Sequence, residues 1–195
     1  MSEQLIYVVG PSGVGKDSLL NRLRAQVEVC VPRPQLHFAR RTITRAAGDV
    51  TEDHEVVCTA DFLKLVQAGA FLLHWEAHGL HYGVRRSEIG GGRGWVMVNG
   101  SRAYLAQARV HCPGLTVLHV SAPPEVVRQR LLSRQRESLV EVQARVLRSQ
   151  SAALDVATDD LHIANTGSLD ESVATLCRIL QDHTGLPLSS IGHKN

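Results

Sequence analysis

The stretch 5-LIYVVGPSGVGKDSLLNRL-23 decides the fold class of this chain. Its apolar opening, Leu5 to Val9, predicts a buried strand, because β-branched and aromatic residues suit the interior of a sheet. The glycines that follow predict a tight turn, and the residues from Lys16 onward predict the first turns of a helix. A strand, a glycine-rich turn and a helix in immediate succession indicate an α/β protein.

The turn itself matches a phosphate-binding loop. Its glycines let successive backbone N–H groups face phosphate oxygens, and the helix end adds about half a positive charge. Lys16 can bridge the phosphoryl group that is transferred, which makes it a catalytic candidate. The alternative is a glycine turn beside a surface lysine. It requires the strand, the glycine loop, the lysine and the helix to occur in this order by chance. We predict nucleotide binding by Gly10, Pro11, Ser12, Gly13, Val14, Gly15 and Lys16.

Asp17 replaces the serine or threonine that usually follows this lysine and contacts magnesium. One explanation is that acidic residues favour the first turn of a helix. However, an unpaired carboxylate would repel triphosphate oxygens, whereas one that binds magnesium, directly or through water, supplies the missing oxygen ligand. Ser18 is a poorer ligand, because one helical residue turns its side chain by about 100°. We predict Asp17 in the magnesium shell and Ser18 beside the nucleotide.

Composition predicts an ordinary globular protein. Of 195 residues, 44% are hydrophobic and 21% charged, and the formal net charge is +2. The aromatic share of 4% is low for a protein that stacks on bases, so we expect no nucleic-acid partner. No apolar run reaches the roughly 20 residues of a membrane span. Four dispersed cysteines argue against a zinc ribbon, and we expect a cytoplasmic protein without a membrane partner.

Short apolar runs alternate with helical patterns, which predicts a mainly parallel sheet in one domain over residues 1–183, followed by a loosely held tail over 184–195. The predicted strands are Leu5 to Val9, Leu36 to Ala39, Glu55 to Cys58, Leu72 to Ala77, Leu80 to Val84, Trp95 to Val98, Thr116 to Val120 and Leu161 to Ala164. The predicted helices are Lys16 to Gln26, Asp61 to Gln67, Arg102 to Ala108, Pro124 to Ser133, Leu139 to Ala153 and Leu169 to Asp182.

The most specific marks of the chain are GPSGVGKDSLL from residue 10, RRTITR from 40, HWEAHGLHYG from 74 and VNGSR from 98. With them, over roughly residues 4–182, the chain resembles the guanylate kinase family of nucleoside-monophosphate-type kinases. Within it, the chain looks most like the branch that phosphorylates ribose 1,5-bisphosphate in phosphonate utilisation. The resemblance implies a P-loop NTPase three-layer α/β fold with a mainly parallel sheet, an acceptor-binding insertion at about residues 36–90 and a helical lid at about 130–146.

The resemblance also indicates where the acceptor binds. Guanylate kinases carry a Ser-x-Thr-Thr-Arg run, and here Arg41 stands at the serine while Arg45 keeps the arginine. Their second phosphate-binding arginine aligns with Gly48 of this chain. One of their two phosphate-binding tyrosines falls near His54, and the other is kept as Tyr82.

The groups that read guanine are replaced as well. The guanine-reading glutamate of the family aligns with His74 and its guanine-reading serine with Val84. An aspartate near the acceptor nucleoside aligns with Asn99 or Gly100. Lost acceptors leave guanine donors unpaired at about 1–3 kcal/mol each, so guanine fits poorly. An acceptor with a phosphate at each end needs cations instead. We therefore predict acceptor binding by Arg40, Arg41, Arg45, His54, His74, His78, Tyr82 and Asn99.

Three imidazoles, His74, His78 and His81, also raise the question of a metal site. On a strand His74 and His78 would share a face, but His78-Gly79 is typical of a hairpin turn, and His81 lies beyond it. We favour a cleft-lining role for His74 and His78 over a structural metal, and packing or solvation remains the third explanation.

The arginine-rich segment after Pro124 corresponds to the lid of the resembling kinases. Their lid arginines close over the triphosphate, so we expect catalytic roles for Arg130, Arg134 and Arg145, with solvation of a helix surface as the alternative. Asn165, at the end of a predicted strand, resembles the position that borders the donor adenine, and a strand cap is the alternative.

The resemblance implies ATP and Mg²⁺ as cofactors, a phosphorylated sugar as substrate, and a monomer or homodimer. The expected reaction converts ribose 1,5-bisphosphate to 5-phosphoribosyl 1-diphosphate with release of ADP. An ionised phosphate acceptor needs no general base, so the lack of an obvious catalytic aspartate is expected. The alternatives are a guanylate or other nucleoside-monophosphate kinase and a non-catalytic guanylate kinase-like interaction module.

Overall fold

The computed structural model describes residues 4–30, 35–45, 53–89, 94–133 and 157–188. The strands are β1 (Gln4–Val9), β2 (Leu36–Phe38), β3 (Arg41–Ile43), β4 (His54–Val56), β5 (Phe71–Ala77), β6 (Leu80–Arg85), β7 (Trp95–Asn99), β8 (Thr116–Ser121) and β9 (Leu161–Ala164). The helices are α1 (Lys16–Val29), α2 (Thr59–Gln67), α3 (Arg86–Ile89), α4 (Leu105–His111), α5 (Pro124–Ser133) and α6 (Leu169–Thr184), with a 3₁₀ turn at Arg102–Tyr104.

The chain divides into two compact units, of which the first comprises residues 1–7 and 35–116. One of its sheets has the order β2-β7-β1, with β2 parallel to β7. The other has the order β4-β3-β6-β5, in which β5 and β6 form an antiparallel hairpin. β3 pairs in antiparallel fashion with β6 and in parallel with β4.

Register gives the four-stranded sheet two distinct faces. Tyr82 lies opposite both Ile43 and Trp75, and Arg41 lies opposite Val84. Because side chains alternate along a strand, these residues share one side, which we call the Tyr82 face. The described strands β3 to β6 place no carboxylate on the Tyr82 face.

The opposite side carries Thr42, which lies opposite Glu55 on β4 and Gly83 on β6, and we call it the Thr42 face. Helix α2 contacts β5. The ring of its buried Phe62 stacks on Phe71 at 4.7 Å and on His81 at 5.3 Å. The Thr42 face is therefore partly covered by a helix within the same unit.

The second unit comprises residues 8–34 and 117–195. Its strand order is β1-β8-β9, with β8 and β9 parallel. Helix α1 packs against α6, and an ion pair between Arg22 and Asp170 joins them at 2.8 Å. Helix α6 begins with a capping box formed by Ser168 and Glu171. No described helix has both the length and the apolar character needed to cross a membrane.

The predicted elements differ from the structure mainly in the first unit. β3 and α3 were not predicted, since Arg41–Ile43 contains no apolar run and Arg86–Ile89 is only one helical turn. The predicted strand from Glu55 begins one residue earlier and ends at Val56. The predicted helix over residues 139–153 lies outside the described residues. The tail from Gly185 was expected to be loosely held, but its last described residue, Leu188, is fully buried.

Candidate active site

The loop between β1 and α1 has a backbone suited to phosphate oxygens. Gly13 and Gly15 adopt φ values of 89° and 87°, which side chains other than glycine rarely tolerate. Gly15 directly precedes α1, and its carbonyl accepts the Leu19 N–H at 3.0 Å. The N–H groups of the first helical turn have no partner inside the helix, so together with the helix dipole they favour an anion.

Lys16, Asp17 and Ser18 form the first turn of α1. Lys16 is half-buried, whereas Asp17 and Ser18 are exposed. Within the described ranges, no group of three His, Cys, Asp or Glu side chains could hold a metal. A magnesium ion here would rely on the Asp17 carboxylate, phosphate oxygens and water, a ligand set that suits this hard cation.

The Val14 carbonyl, in the middle of this loop, accepts hydrogen bonds from two side chains. Asn165 donates through Nδ2 at 2.7 Å, and Arg130 donates through Nη1 at 2.9 Å. A second guanidinium nitrogen of Arg130 lies 3.5 Å from Asn165 Oδ1. We call Arg130 and Asn165 the Val14 clamp.

Both residues of the Val14 clamp make contacts that the sequence did not predict. Arg130, expected in a lid, lies on α5 and donates to loop backbone. Asn165, expected beside the adenine, directly follows β9 and is 2% exposed. The other two expected lid residues, Arg134 and Arg145, lie outside the described residues.

Arg41 is the best-positioned cation among the predicted acceptor ligands. Its Nη1 donates to the carbonyl of Asn99 at 3.2 Å, and its guanidinium carbon lies 5.3 Å from the centre of the Tyr82 ring. Asn99 and Tyr82 are both buried. A carbonyl and an aromatic ring together hold the guanidinium in place, an arrangement that would lower the entropy cost of binding an anion there.

Tyr82 is in turn held by aromatic residues that sequence reasoning missed. Trp75 stacks on Tyr82 with ring centres 5.7 Å apart and planes 6° apart, and Tyr104 stacks on Trp75 at 5.7 Å. Tyr7 meets Trp75 edge-on at 6.5 Å. Hairpin pairing could have indicated Trp75, since it lies opposite Tyr82 when the turn is centred on His78-Gly79.

The turn after Asn99 is fixed by Tyr7. The Tyr7 hydroxyl accepts the Ser101 N–H at 2.9 Å and contacts the Ser101 carbonyl at 3.3 Å. A side chain at Gly100 would collide with the Tyr7 ring, so glycine permits this close approach. Burial raises the pKa of the Tyr7 phenol well above its usual value, with the Ser101 hydrogen bond acting in the opposite direction. Tyr7 therefore remains a neutral phenol.

Two of the predicted acceptor ligands lie away from this arrangement. His74 lies opposite Gly83 on the Thr42 face and is exposed, with its ring 6.2 Å from Phe71. His78 is exposed at the hairpin tip, with φ values of 53° at His78 and 71° at Gly79. Neither His74 nor His78 is brought together with Arg41 and Tyr82 by the described strands.

The remaining predicted ligands lie near β3 and β4. Arg40 forms an ion pair with Asp53 at 3.1 Å and donates to the His54 carbonyl at 3.2 Å. His54 lies opposite Arg41, so its side chain belongs to the Tyr82 face. Arg45 follows the end of β3 and is half-buried.

A polar cluster on the Thr42 face joins β4, β3 and β6. Glu55 accepts hydrogen bonds from the Thr42 hydroxyl at 2.7 Å and from two nitrogens of Arg85 at 2.8 and 2.7 Å. Burial raises the pKa of the Glu55 carboxyl, but these hydrogen bonds and the charges of Arg85 and Arg40 outweigh it and leave the pKa lowered. The cluster stabilises the sheet that carries Arg41.

Curated relatives resemble this chain over almost its whole length. It is 43% identical over 178 residues to ribose 1,5-bisphosphate phosphokinase PhnN of Pseudomonas paraeruginosa (strain DSM 24068 / PA7), covering 90% of this chain and 94% of the relative. It is 42% identical over 180 residues to the protein of that name from Ruegeria sp. (strain TM1040), covering 91% of each. No family model matches the chain.

The chain belongs to the ribose 1,5-bisphosphate phosphokinase PhnN family. This membership makes it a phosphotransferase and confirms the predicted resemblance. Among solved structures, a guanylate kinase from Anaplasma phagocytophilum matches with a TM-score of 0.60 and 20% identity, covering 96% of this chain and 89% of the other. A gluconokinase from Sinorhizobium meliloti 1021 matches with a TM-score of 0.51 and 16% identity, covering 94% and 95%. The predicted guanylate kinase-like α/β fold is thus confirmed.

As a member of the PhnN family, the chain is expected to use a nucleotide and a divalent metal. The phosphate loop and the exposed Asp17 carboxylate provide groups of the required chemistry for both. The individual roles assigned to site residues remain predictions.

Proposed function

We propose that this protein transfers the γ-phosphoryl group of ATP to the C1 phosphate of ribose 1,5-bisphosphate, forming 5-phosphoribosyl 1-diphosphate and ADP. The observation that carries the proposal is the 38–43% identity to relatives named for this activity, over about nine-tenths of the chain. We place the reaction in phosphonate utilisation and in the cytoplasm, with the protein as monomer or homodimer.

The charge distribution of the acceptor-binding sheet supports this choice over guanylate kinase activity. Glu55 and Glu76 both belong to the Thr42 face, whereas the Tyr82 face carries Arg41 and, among its described residues, no carboxylate. Guanine recognition requires acceptors for its N–H donors. A cation beside aromatic rings instead suits a phosphate.

In the proposed mechanism, the phosphate loop binds the triphosphate through its backbone N–H groups, and Lys16 balances charge on the γ-phosphoryl group. Magnesium, held through Asp17, would neutralise charge on the phosphate oxygens. Arg41, Arg45 and Tyr82 bind the bisphosphate.

A C1-phosphate oxygen forms the new bond to the γ-phosphorus as the bond to the β–γ bridging oxygen breaks, and ADP leaves with that oxygen. The acceptor is already ionised, so no side chain needs to remove a proton. The contribution of the protein is to bind each ligand and to stabilise the charge that develops on the transferred group.

The test is an assay of ADP release with ribose 1,5-bisphosphate, with GMP and without acceptor, at the same ATP and magnesium concentrations. We expect kcat/KM for the bisphosphate to exceed that for GMP by at least about a hundredfold, the discrimination available when buried polar partners are missing. Phosphorus NMR of the product should show a diphosphate on C1. Comparable kcat/KM values for GMP would support guanylate kinase activity, and ADP release without phosphoryl transfer to either acceptor would reject the proposal.

A further inference from the structure

The Val14 clamp assigns a role to Asn165 that differs from contact with the nucleotide base. We propose that Asn165 is a positioning residue for triphosphate binding, which holds the Val14 carbonyl and thereby orients the backbone N–H groups of the phosphate loop. The proposal rests on the ATP-dependent function proposed above. It concerns how the loop is prepared for any triphosphate, whatever its base.

The geometry of the peptide unit links the clamp to the ligand. The Val14 carbonyl and the Gly15 N–H belong to one planar, trans peptide group and therefore point in opposite directions. With the carbonyl held by Asn165 at 2.7 Å and by Arg130 at 2.9 Å, the direction of the Gly15 N–H is fixed. That N–H lies at the start of α1, where phosphate oxygens are expected.

The loop needs such support because its own backbone is permissive. Gly13 and Gly15 lie on either side of Val14, and both have positive φ. Glycine has no Cβ, so its backbone angles are less restricted than those of any other residue. A loop that must be ordered during binding pays a cost in conformational entropy. Two side-chain donors on the peptide between these glycines remove part of that freedom beforehand.

Asn165 itself is rigidly placed. It is 2% exposed, and its backbone N–H donates to the Ser121 carbonyl at 2.8 Å, which ties it to the end of β8. A Cβ atom built on Gly15 would lie 2.7 Å from Asn165 Nδ2 and 3.3 Å from Arg130 Nη1. The clamp therefore lies directly against the loop, and the Asn165 amide nitrogen is already engaged by backbone.

Inorganic triphosphate distinguishes loop positioning from base recognition because it has no base. Asn165→Asp keeps the size of the side chain but replaces the amide donor with an oxygen that faces the Val14 carbonyl. Asn165→Ala removes the donor without adding charge. Ala164→Ser changes an exposed neighbour and serves as the control.

Dissociation constants would be measured by equilibrium binding of a fluorescent ATP analogue and by its displacement with inorganic triphosphate, alongside the KM for ribose 1,5-bisphosphate and the Tm. For both Asn165 variants we expect the dissociation constants of the ATP analogue and of triphosphate to rise by the same factor, at least about tenfold. This is the size of effect expected when the buried Val14 carbonyl loses one of its hydrogen-bond donors. The acceptor KM should stay within about twofold, and the control should match wild type.

Two results would overturn the inference. If the dissociation constant of triphosphate is unchanged while the ATP analogue binds more weakly, Asn165 contacts the base. If the acceptor KM rises as much as the two dissociation constants do and the Tm falls, Asn165 contributes only to general stability. Because displacement needs no acceptor, a wild type that binds triphosphate but does not phosphorylate the bisphosphate would reject the proposed function alone. A wild type that binds no triphosphate would reject both.

Discussion

Replacing Arg41 tests the acceptor side of the proposed mechanism. Its guanidinium lies between the Asn99 carbonyl at 3.2 Å and the Tyr82 ring at 5.3 Å, and its planar fork has the geometry that recognises a phosphate through two hydrogen bonds. Arg41→Ala removes the charge and the fork. Arg41→Lys keeps the charge but cannot donate in two directions from one plane.

The size of the effect follows from these contacts. A hydrogen bond to a charged group contributes about 1.5–3 kcal/mol, so Arg41→Ala should reduce kcat/KM for the bisphosphate by about 10- to 150-fold. Arg41→Lys should reduce kcat/KM less, because the lysine charge still attracts the phosphate. It should not match wild type, because the stacking of residue 41 on the Tyr82 ring, about 0.5–1 kcal/mol, is weakened. The KM for ATP should stay unchanged in both variants, since Arg41 binds the bisphosphate and not ATP in the proposed mechanism.

The assay is steady-state ADP release with each substrate varied in turn, and thermal melting checks that the variants fold. Arg86→Ala is a matched control, because Arg86 is an exposed arginine of the same unit that donates to the Gly69 carbonyl at 3.1 Å. A rise in the KM for ATP with an unchanged acceptor KM would refute the assignment of Arg41 to the acceptor. So would equal losses in Arg41→Ala and Arg86→Ala.

Three further predictions concern the loop and the sheet. Lys16→Ala should fold normally and lose at least about a hundredfold in kcat, because a preorganised charge is removed, and near-normal turnover would contradict the phosphate-loop assignment. Asp17→Ala should raise the half-saturating magnesium concentration, and Asp17→Ser less so; identical magnesium curves with a lowered Tm would make Asp17 a helix-start residue only. Because the folded-state pKa of Glu55 is lowered, its contribution to stability is present above the ordinary pKa of 4.5 and is lost as pH falls through the folded value. Urea unfolding should therefore show Glu55→Gln less stable than wild type near pH 7, with the difference shrinking below about pH 4; a constant difference would rule out the charge as its source.

The phosphate loop could be predicted from sequence because its determinants are local. A β-branched strand, glycines at the positions of positive φ and a helix that begins at Lys16 all lie within residues 5–23. Neighbouring residues restrict one another through backbone sterics and helix-end hydrogen bonding, so their pattern carries the structure without knowledge of the rest. The hairpin turn at His78-Gly79 was predictable for the same reason.

Which residues share the Tyr82 face depended on pairing between distant strands. His74 and Trp75 are adjacent in sequence, yet only Trp75 lies on the Tyr82 face, and a shift of one residue in register would exchange them. β3, which carries Arg41, is three residues long and is defined by its pairing with β4 and β6. Sequence proximity indicated which residues lie near the hairpin, but it could not indicate which side of the sheet each one takes.

The Val14 clamp is a further product of tertiary structure. Arg130 and Asn165 lie more than a hundred residues after Val14 in the sequence. Their side chains reach the Val14 backbone carbonyl because α5 and the end of β9 lie beside the start of α1 in one compact unit. Sequence alone predicted a phosphate loop that ends at Lys16, where α1 begins. Packing decided what supports the loop, because a hydrogen bond between distant residues depends on the whole path of the chain and not on the residues beside it.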